Sequence, residues 1–381
     1  MIAQPARVGK RNLGSLPEYP AYQRILSDGH IENKAFRTAK RLAVASTTIK
    51  DVAKAAGVST ATVSAVLNDS AFVSPPLRAR VLDAVRDLGF APSQAARNLR
   101  HGRSELIAIV VADLTNPFYA RAVCAAEAAV ANWGYSLVVC NSDENPELEK
   151  RILVRMRMLH CEGIILVPVS NALPDPARKP PGRTIPTVLF GRNFDDSRID
   201  AVAIDNFAAA YQATNYLLDL GHERIGAITG PQHVSTGKGR LDGMTAALAA
   251  KGVTLDNRLI RPGEFREDVA YSAARSLLAQ PDRPTALYVA NGLMALGVMR
   301  AIADLGLRCP EDISVASTDN IPGVRGMRPV LTRTEHPIVD MINEAVRLLI
   351  DRVKNKSERE ARTVVFPTSL VVGDSCSPLS R

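Results

Sequence analysis

Thr60, Ala61, Ser64 and Ala65 fall on one side of a short helical pattern and offer hydroxyls and methyls without a carboxylate. A hydroxyl can bond a phosphate oxygen or a base edge, and a methyl can meet the methyl of thymine. An exposed helical face of this kind suits an approach to DNA. No comparable constellation serves catalysis. The histidines are isolated, none sits in a nucleophile–base pattern, and no GxGxxG follows a strand pattern. The run Gly230-Pro-Gln-His-Val-Ser-Thr-Gly-Lys238 has a glycine and a lysine, but Gly239 stands where a phosphate loop needs Ser or Thr. His222, in LGHERI, reads as a loop residue rather than a base. No metal site and no cofactor are expected.

Two helices joined by a glycine turn must position the four residues. Thr48 and Asp51 have the spacing of a helix N-cap and its reciprocal acid. Ile49, Val52, Ala53 and Ala56 recur at helical spacing, and Gly57 allows the first helix to stop. Ser59 can cap the second helix, on which Val63, Val66 and Leu67 form the inward stripe. Other small helical hairpins share these features. Ser74-Pro75-Pro76 then opens a third helix running through Arg78, Val81, Leu82, Val85 and Leu88 to Gly89. Three helices in about sixty residues make a head of the helix-turn-helix type.

Charge falls in the same place. Up to Arg103 there are 16 Lys/Arg against 7 Asp/Glu, a net of +9, whereas the 381-residue chain is +8, leaving −1 for the remainder. Basic charge at the head is what phosphate contacts require. The five cysteines are scattered and lack metal spacing, so they read as reduced thiols of a cytoplasmic protein. No apolar run approaches membrane-spanning length, and the N-terminus lacks the apolar h-region expected of a secretion signal. Residues 1–45 lack a periodic pattern and read as a disordered extension, or as a start placed too far upstream.

From Leu106 onward, β-rich runs alternate with helical patterns. Strands are expected at Leu106–Ala112, Ser136–Cys140, Gly163–Val167, Thr187–Phe190, Ile225–Thr229, Ala286–Val289 and Ile313–Ser317. Helices are expected at Tyr119–Trp133, Glu147–Leu159, Ala208–Leu220, Gly239–Lys251, Val269–Leu278 and Leu293–Leu305. Such alternation implies parallel sheets covered on both faces.

The run IKDVAKAAGVSTATVSAVLN, then VSPPLRARVLDAVRDLGFAPSQAARNLRHGRS, resembles the head and hinge of LacI/GalR-family bacterial transcription regulators. IAIVVADLTNPFY, GHERIGAITGP, GRLDGM, ALYVANGLMALG and LGLRCPEDISVASTDN continue the resemblance through roughly residues 46–375. It implies an all-α helix-turn-helix head (46–92), a hinge (93–103) and a periplasmic-binding-protein-like α/β core of two Rossmann-like lobes (104–375), followed by a tail (376–381). By motif position, one lobe would comprise 104–205 plus 309–333. The other would comprise 206–308 plus the C-terminal segment.

The resemblance also implies roles. Thr60 and Ala61 would touch base edges, and Thr62 and Ser64 phosphates, with Thr48, Ser59, Ala65 and Asn68 completing the DNA-facing set. Ala65 departs from the family, which commonly has an arginine there for a bidentate guanine contact. In the hinge, Leu99 would wedge between base pairs of the minor groove, beside Ala96 and Arg97. Phe118, Tyr119, Thr236, Arg240, Phe265, Asn291 and Asp319 would line an effector cleft. Gly292 departs from a common aspartate, for which Asn291 could partly substitute. Val234 replaces the arginine of purine-responsive relatives, which puts a purine or simple sugar bound in the usual way in doubt.

The function expected is a cytoplasmic, homodimeric, ligand-responsive repressor that binds a palindromic double-stranded DNA operator. Its effector would be a sugar or related metabolite, with no membrane partner. A solute-binding transport protein and an α/β enzyme are the rivals. The DNA-binding head disfavours the first, and the lack of acid/base or phosphate-loop motifs disfavours the second.

Overall fold

The computed structural model describes residues 47–90, 104–169, 185–194, 199–319, 328–355 and 360–379. The expected extension, residues 1–45, and the hinge, residues 93–103, lie outside them. The chain divides into two compact units, Met1–Arg97 and Asn98–Arg381.

The first unit holds helices α1 (Ile49–Ala56), α2 (Thr60–Asn68) and α3 (Pro75–Asp87). Thr48 and Asp51 form a complete capping box at the start of α1. Gly57 ends α1 at φ 63, and a β-carbon there would stand 2.6 Å from Arg80 Nη2. Backbone and space therefore both select glycine. Arg80 donates to Ala56 O, satisfying a carbonyl that the helix end leaves open. Ser74 makes no side-chain cap bond, and the prolines after it set the first turn of α3. Val52, Ala53, Ala56, Val63, Val66, Val81 and Ala84 make one core, with Leu67 only half-buried against it.

The second unit contains two six-stranded sheets. The first is built from β1 (Leu106–Val111), β2 (Ser136–Asn141), β3 (Gly163–Leu166), β4 (Thr187–Gly191), β5 (Asp200–Ile204) and β11 (Thr363–Phe366), in the order β11-β5-β4-β3-β1-β2. Helices α4 (Pro117–Ala131) and α5 (Pro146–Met158) cross between its first strands. All its pairings among the described residues are parallel. β1 is buried along nearly its whole length, as an apolar run covered on both faces must be.

The second sheet contains β6 (Ile225–Thr229), β7 (Ile260–Pro262), β8 (Ala286–Val289), β9 (Ser314–Thr318), β10 (Thr332–Glu335) and β12 (Ser369–Val371), in the order β12-β10-β9-β8-β6-β7. Its only antiparallel pairing among the described residues is β10 with β12. Its helices are α6 (Asn206–Asp219), α7 (Ser235–Ala250), α8 (Glu267–Leu278) and α9 (Gly292–Asp304). A last helix, α10 (Ile338–Asn355), packs against α4, β3, β4 and β5.

This topology corrects the lobe assignment read from motif positions. Residues 309–333 belong to the second lobe, through β9 and β10. The first lobe is instead completed by α10 and β11. The reason is local: β8–α9–β9 is a continuous crossover unit, and adjoining elements stay adjacent in one sheet. The chain returns only when the apolar face of α10, with Ile338, Met341, Ile342, Ala345, Val346 and Leu349, meets its matching core. Three segments thus pass between lobes: after β5, between β10 and α10, and between β11 and β12.

His222 is buried, its ring nitrogens near Thr285 Oγ1 (3.0 Å), Ser314 Oγ (3.1 Å) and Ser377 O (3.0 Å). It ties the end of the chain to the second sheet, and burial pushes its pKa down.

Candidate functional site

On α2, Ser59 Oγ accepts from Thr62 N at 3.1 Å and lies 2.9 Å from Thr62 Oγ1, which fixes the helix start. Thr60, Ala61 and Asn68 are exposed, while Thr62, Ser64 and Ala65 are half-buried. Asn68 Nδ2 donates to Ser64 O at 2.9 Å and to Ser64 Oγ at 3.2 Å. Ser64 therefore accepts from within the helix and keeps its own hydroxyl proton for another acceptor. Thr48 is committed locally, bonding Asp51 Oδ2 through its N (2.8 Å) and Oγ1 (2.7 Å). These bonds hold the Asp51 carboxyl below its usual range. Ala96, Arg97 and Leu99 lie outside the described residues.

In the second unit a narrow cavity of about 30 Å³ opens between the lobes. Open α/β sheets place ligands at the carboxyl ends of their strands, and this cavity lies there. Phe118, Tyr119, Thr236, Arg240, Phe265, Asn291 and Asp319, far apart in sequence, all line it. Asn116 caps α4 by accepting from Phe118 N at 3.0 Å, which aims Phe118 and Tyr119 from the first turn. Thr236 and Arg240 lie on the first turns of α7, and Asn291 caps α9. Phe265 and Asp319 have left-handed backbones, at φ 55 and 69. Such residues cluster at ligand clamps.

Phe265 forms one wall. The guanidinium carbons of Arg192 and Arg240 lie 5.5 Å and 5.9 Å from its ring centroid. Behind it, a β-carbon at Gly230 would overlap the ring, so only glycine leaves Phe265 its place. Phe118 meets Tyr119 edge-on, with centroids 5.2 Å apart. Burial pushes the Tyr119 hydroxyl up to about 12, so it stays protonated.

The charged groups are largely paired. Arg240 donates from Nε to Asn206 Oδ1 at 2.9 Å and also to Ala290 O, with Nη1 3.6 Å from Asp319 Oδ2. His336 Nε2 stands 2.8 Å from Asp319 Oδ1. Burial pushes the Asp319 carboxyl up, but Arg240 and His336 outweigh it and hold the group below its usual range. Asn291 Oδ1 accepts from Met294 N at 2.8 Å. Its oxygen is thus spent on capping α9, which weakens it as a substitute for the aspartate that Gly292 lacks.

Asp113, Glu144 and Arg192, which are not among the cleft residues expected from the sequence, also line the cavity. Arg192 is almost wholly buried and bonds Glu144 twice, Nη1 to Oε2 at 2.8 Å and Nη2 to Oε1 at 2.5 Å. Asp113 Oδ1 accepts from Thr115 N (2.9 Å) and Thr115 Oγ1 (2.7 Å). Its other oxygen, Oδ2, is buried and accepts no hydrogen bond among the described residues, and Thr236 Oγ1 is likewise without one. Each of the three follows the carboxyl end of a strand (β1, β2 or β4), and that position was the available signal. Chemically, the cleft offers two aromatic faces, hydrogen-bonding side chains and buried oxygens that accept no hydrogen bond among the described residues. These suit a small polar ligand carrying hydroxyl donors. Among the described residues no group of three or more His, Cys, Asp and Glu could hold a metal, and no helix is long and apolar enough to cross a membrane.

The comparisons with known proteins agree with this division. Residues 48–93 match the model for bacterial regulatory proteins of the lacI family. Residues 214–376 match that for a periplasmic binding protein-like domain. The chain is 35% identical over 332 residues to the HTH-type transcriptional repressor PurR of Edwardsiella ictaluri, covering 85% of this chain and 95% of that protein. It is 33% identical over 328 residues to the ribose operon repressor of Escherichia coli K12, covering 86% and 99%. The lac repressor dimer solved with operator and the anti-inducer ONPF superposes with a TM-score of 0.75 at 26% identity, covering 87% of this chain and 99% of that one.

Proposed function

The chain belongs to the lacI family of bacterial regulatory proteins, and from that premise we propose that it is a cytoplasmic, nucleoid-associated repressor whose hold on DNA is set by a neutral, pentose-sized polyol. The observation that carries the ligand class is the pair of buried oxygens without a hydrogen bond among the described residues, Asp113 Oδ2 and Thr236 Oγ1, facing one cavity from opposite lobes. A buried acceptor without a donor is costly, and a ligand hydroxyl supplies the donor. The buried arginines, by contrast, are already engaged by Glu144, Asn206, Ala290 and Asp319, which disfavours a phosphorylated or carboxylated ligand. Phe265 and Phe118 provide faces for the apolar side of a ring. The ribose operon repressor among its relatives makes D-ribose the first probe.

On DNA, two heads of a homodimer would read the halves of a palindromic operator, as the lac repressor dimer on its operator suggests. Thr60 and Ala61 would face base edges, Thr62 and Ser64 phosphates, and Thr48, Ser59, Ala65 and Asn68 the adjoining backbone and base positions. Leu99, with Ala96 and Arg97, would open the minor groove at the site centre. The chain performs no catalysis in this reading and needs no cofactor. Genome-wide binding-site mapping in the presence and absence of D-ribose tests the proposal. Palindromic sites beside genes for sugar uptake or breakdown support it, and scattered binding without a common sequence contradicts it.

A further inference from the structure

Two loops face each other at the mouth of the cleft, and each carries two consecutive non-glycine residues in the left-handed region. They are Asp143 and Glu144 (φ 51 and 54), after β2, and Glu264 and Phe265 (φ 51 and 55), after β7. Backbone of this kind persists where its surroundings hold it. The residue that joins the two loops is Arg266, next after the second pair. Its Nη2 donates to Asp143 Oδ1 at 2.8 Å and to Asp143 O at 3.2 Å. Its Nη1 stands 3.9 Å from Asp113 Oδ2, the buried oxygen that accepts no hydrogen bond. Arg266 belongs to the second lobe, and Asp143 and Asp113 to the first. One side chain thus ties the lobes together and brings a positive charge near the Asp113 oxygen that accepts no hydrogen bond.

We propose that Arg266 is a positioning residue that latches the two lobes together across the cleft. Its ion pair with Asp143 holds Phe265 and Asp113 in place for binding, and a ligand reaches the cavity only while that pair is open. The ligand's hydroxyl donor then takes over from the distant guanidinium at Asp113. The gating role rests on the cleft being the ligand site, but the latch is tested on the chain with no ligand added. If the latch holds and no polyol binds, only the ligand reading fails.

The test is amide hydrogen exchange on the ligand-free full chain. The reporters are the Glu144 N–H, bonded to Ala112 O at 2.8 Å, and the Arg266 N–H, bonded to Gly263 O at 2.9 Å. Asp143→Asn removes the charge while keeping a residue that tolerates the left-handed backbone. Asp143→Asn and Arg266→Ala are each expected to speed exchange in segments 142–145 and 263–267 by about two- to fivefold, the range a partly exposed ion pair supports. The double variant should be no faster than the faster single one, and Arg266→Lys should fall between. Strands β1 and β8 should be unchanged. Wild-type exchange in Asp143→Asn, effects that multiply in the double variant, or loosening that spreads into β1 and β8 would each overturn the proposal.

Discussion

Glu149, in the first turn of α5, has no exposed surface. Its Oε2 accepts from Val169 N at 3.0 Å, while Oε1 has no hydrogen-bond partner among the described residues. Burial pushes its pKa up to about 7, against the opposing pulls of the Val169 N–H and Arg192. The folded protein therefore holds this proton more tightly than the unfolded chain does. The stabilisation is complete below the usual carboxylate value of about 4.5 and is lost as pH rises to about 7. Glu149→Gln cannot ionise, so its stability relative to wild type should rise by up to about 3 kcal/mol between pH 4.5 and pH 8. Urea unfolding of both proteins across that range checks this, and a constant difference would count against it. Ala65 supports a second expectation. Binding-site selection with the wild-type protein should show no stringent guanine opposite it. Ala65→Arg should add one, worth about 1–3 kcal/mol of discrimination.

Among the elements, the three head helices were legible because caps, glycine and apolar spacing lie within a few residues of one another. Gly57 is a sharp case: Gly57→Ala should destabilise the head by at least about 1–2 kcal/mol for the left-handed backbone, before Arg80 is displaced. Exchange protection in α1 measures it, and an unchanged head would refute it. The central strands were legible as apolar runs, whereas β7 and β12 are three residues each, too short for a pattern. β5 opens on a buried aspartate, Asp200, which binds Arg352 Nε at 2.9 Å, and its charge obscured the run. The amphipathic α10 was not assigned, and its place against the first lobe depends on a partner far away in sequence. There Leu349 crowds Gly163, where a β-carbon would stand 2.9 Å from Leu349 Cγ. Leu349→Ala should cost about 2–5 kcal/mol. Adding Gly163→Ala should recover part of that by filling the space, as thermal unfolding of the three variants can show. A double variant no more stable than Leu349→Ala would contradict this packing.

At the scale of the molecule, the lobe assignment shows where reading along the chain stops working. Motif order locates the lobes, but which lobe receives a returning segment depends on which apolar faces match. The same limit hid Asp113, Glu144 and Arg192, whose roles come from pairings across dozens of residues. Phe118 and Arg240, by contrast, were legible as cavity-lining positions because they sit in the local runs NPFY and GRLDGM. In the proposed function, occupancy of the cleft changes the hold on DNA, a coupling typically worth 5- to 150-fold in affinity. Fluorescence anisotropy of a mapped operator, titrated with the full chain with and without each of a panel of neutral pentoses and hexoses, measures it directly. At least one sugar is expected to shift the wild-type affinity about tenfold or more, while Asp113→Ala binds the operator normally without sugar and no longer responds. A panel that leaves the wild-type affinity unmoved, or shifts Asp113→Ala just as far, would contradict it.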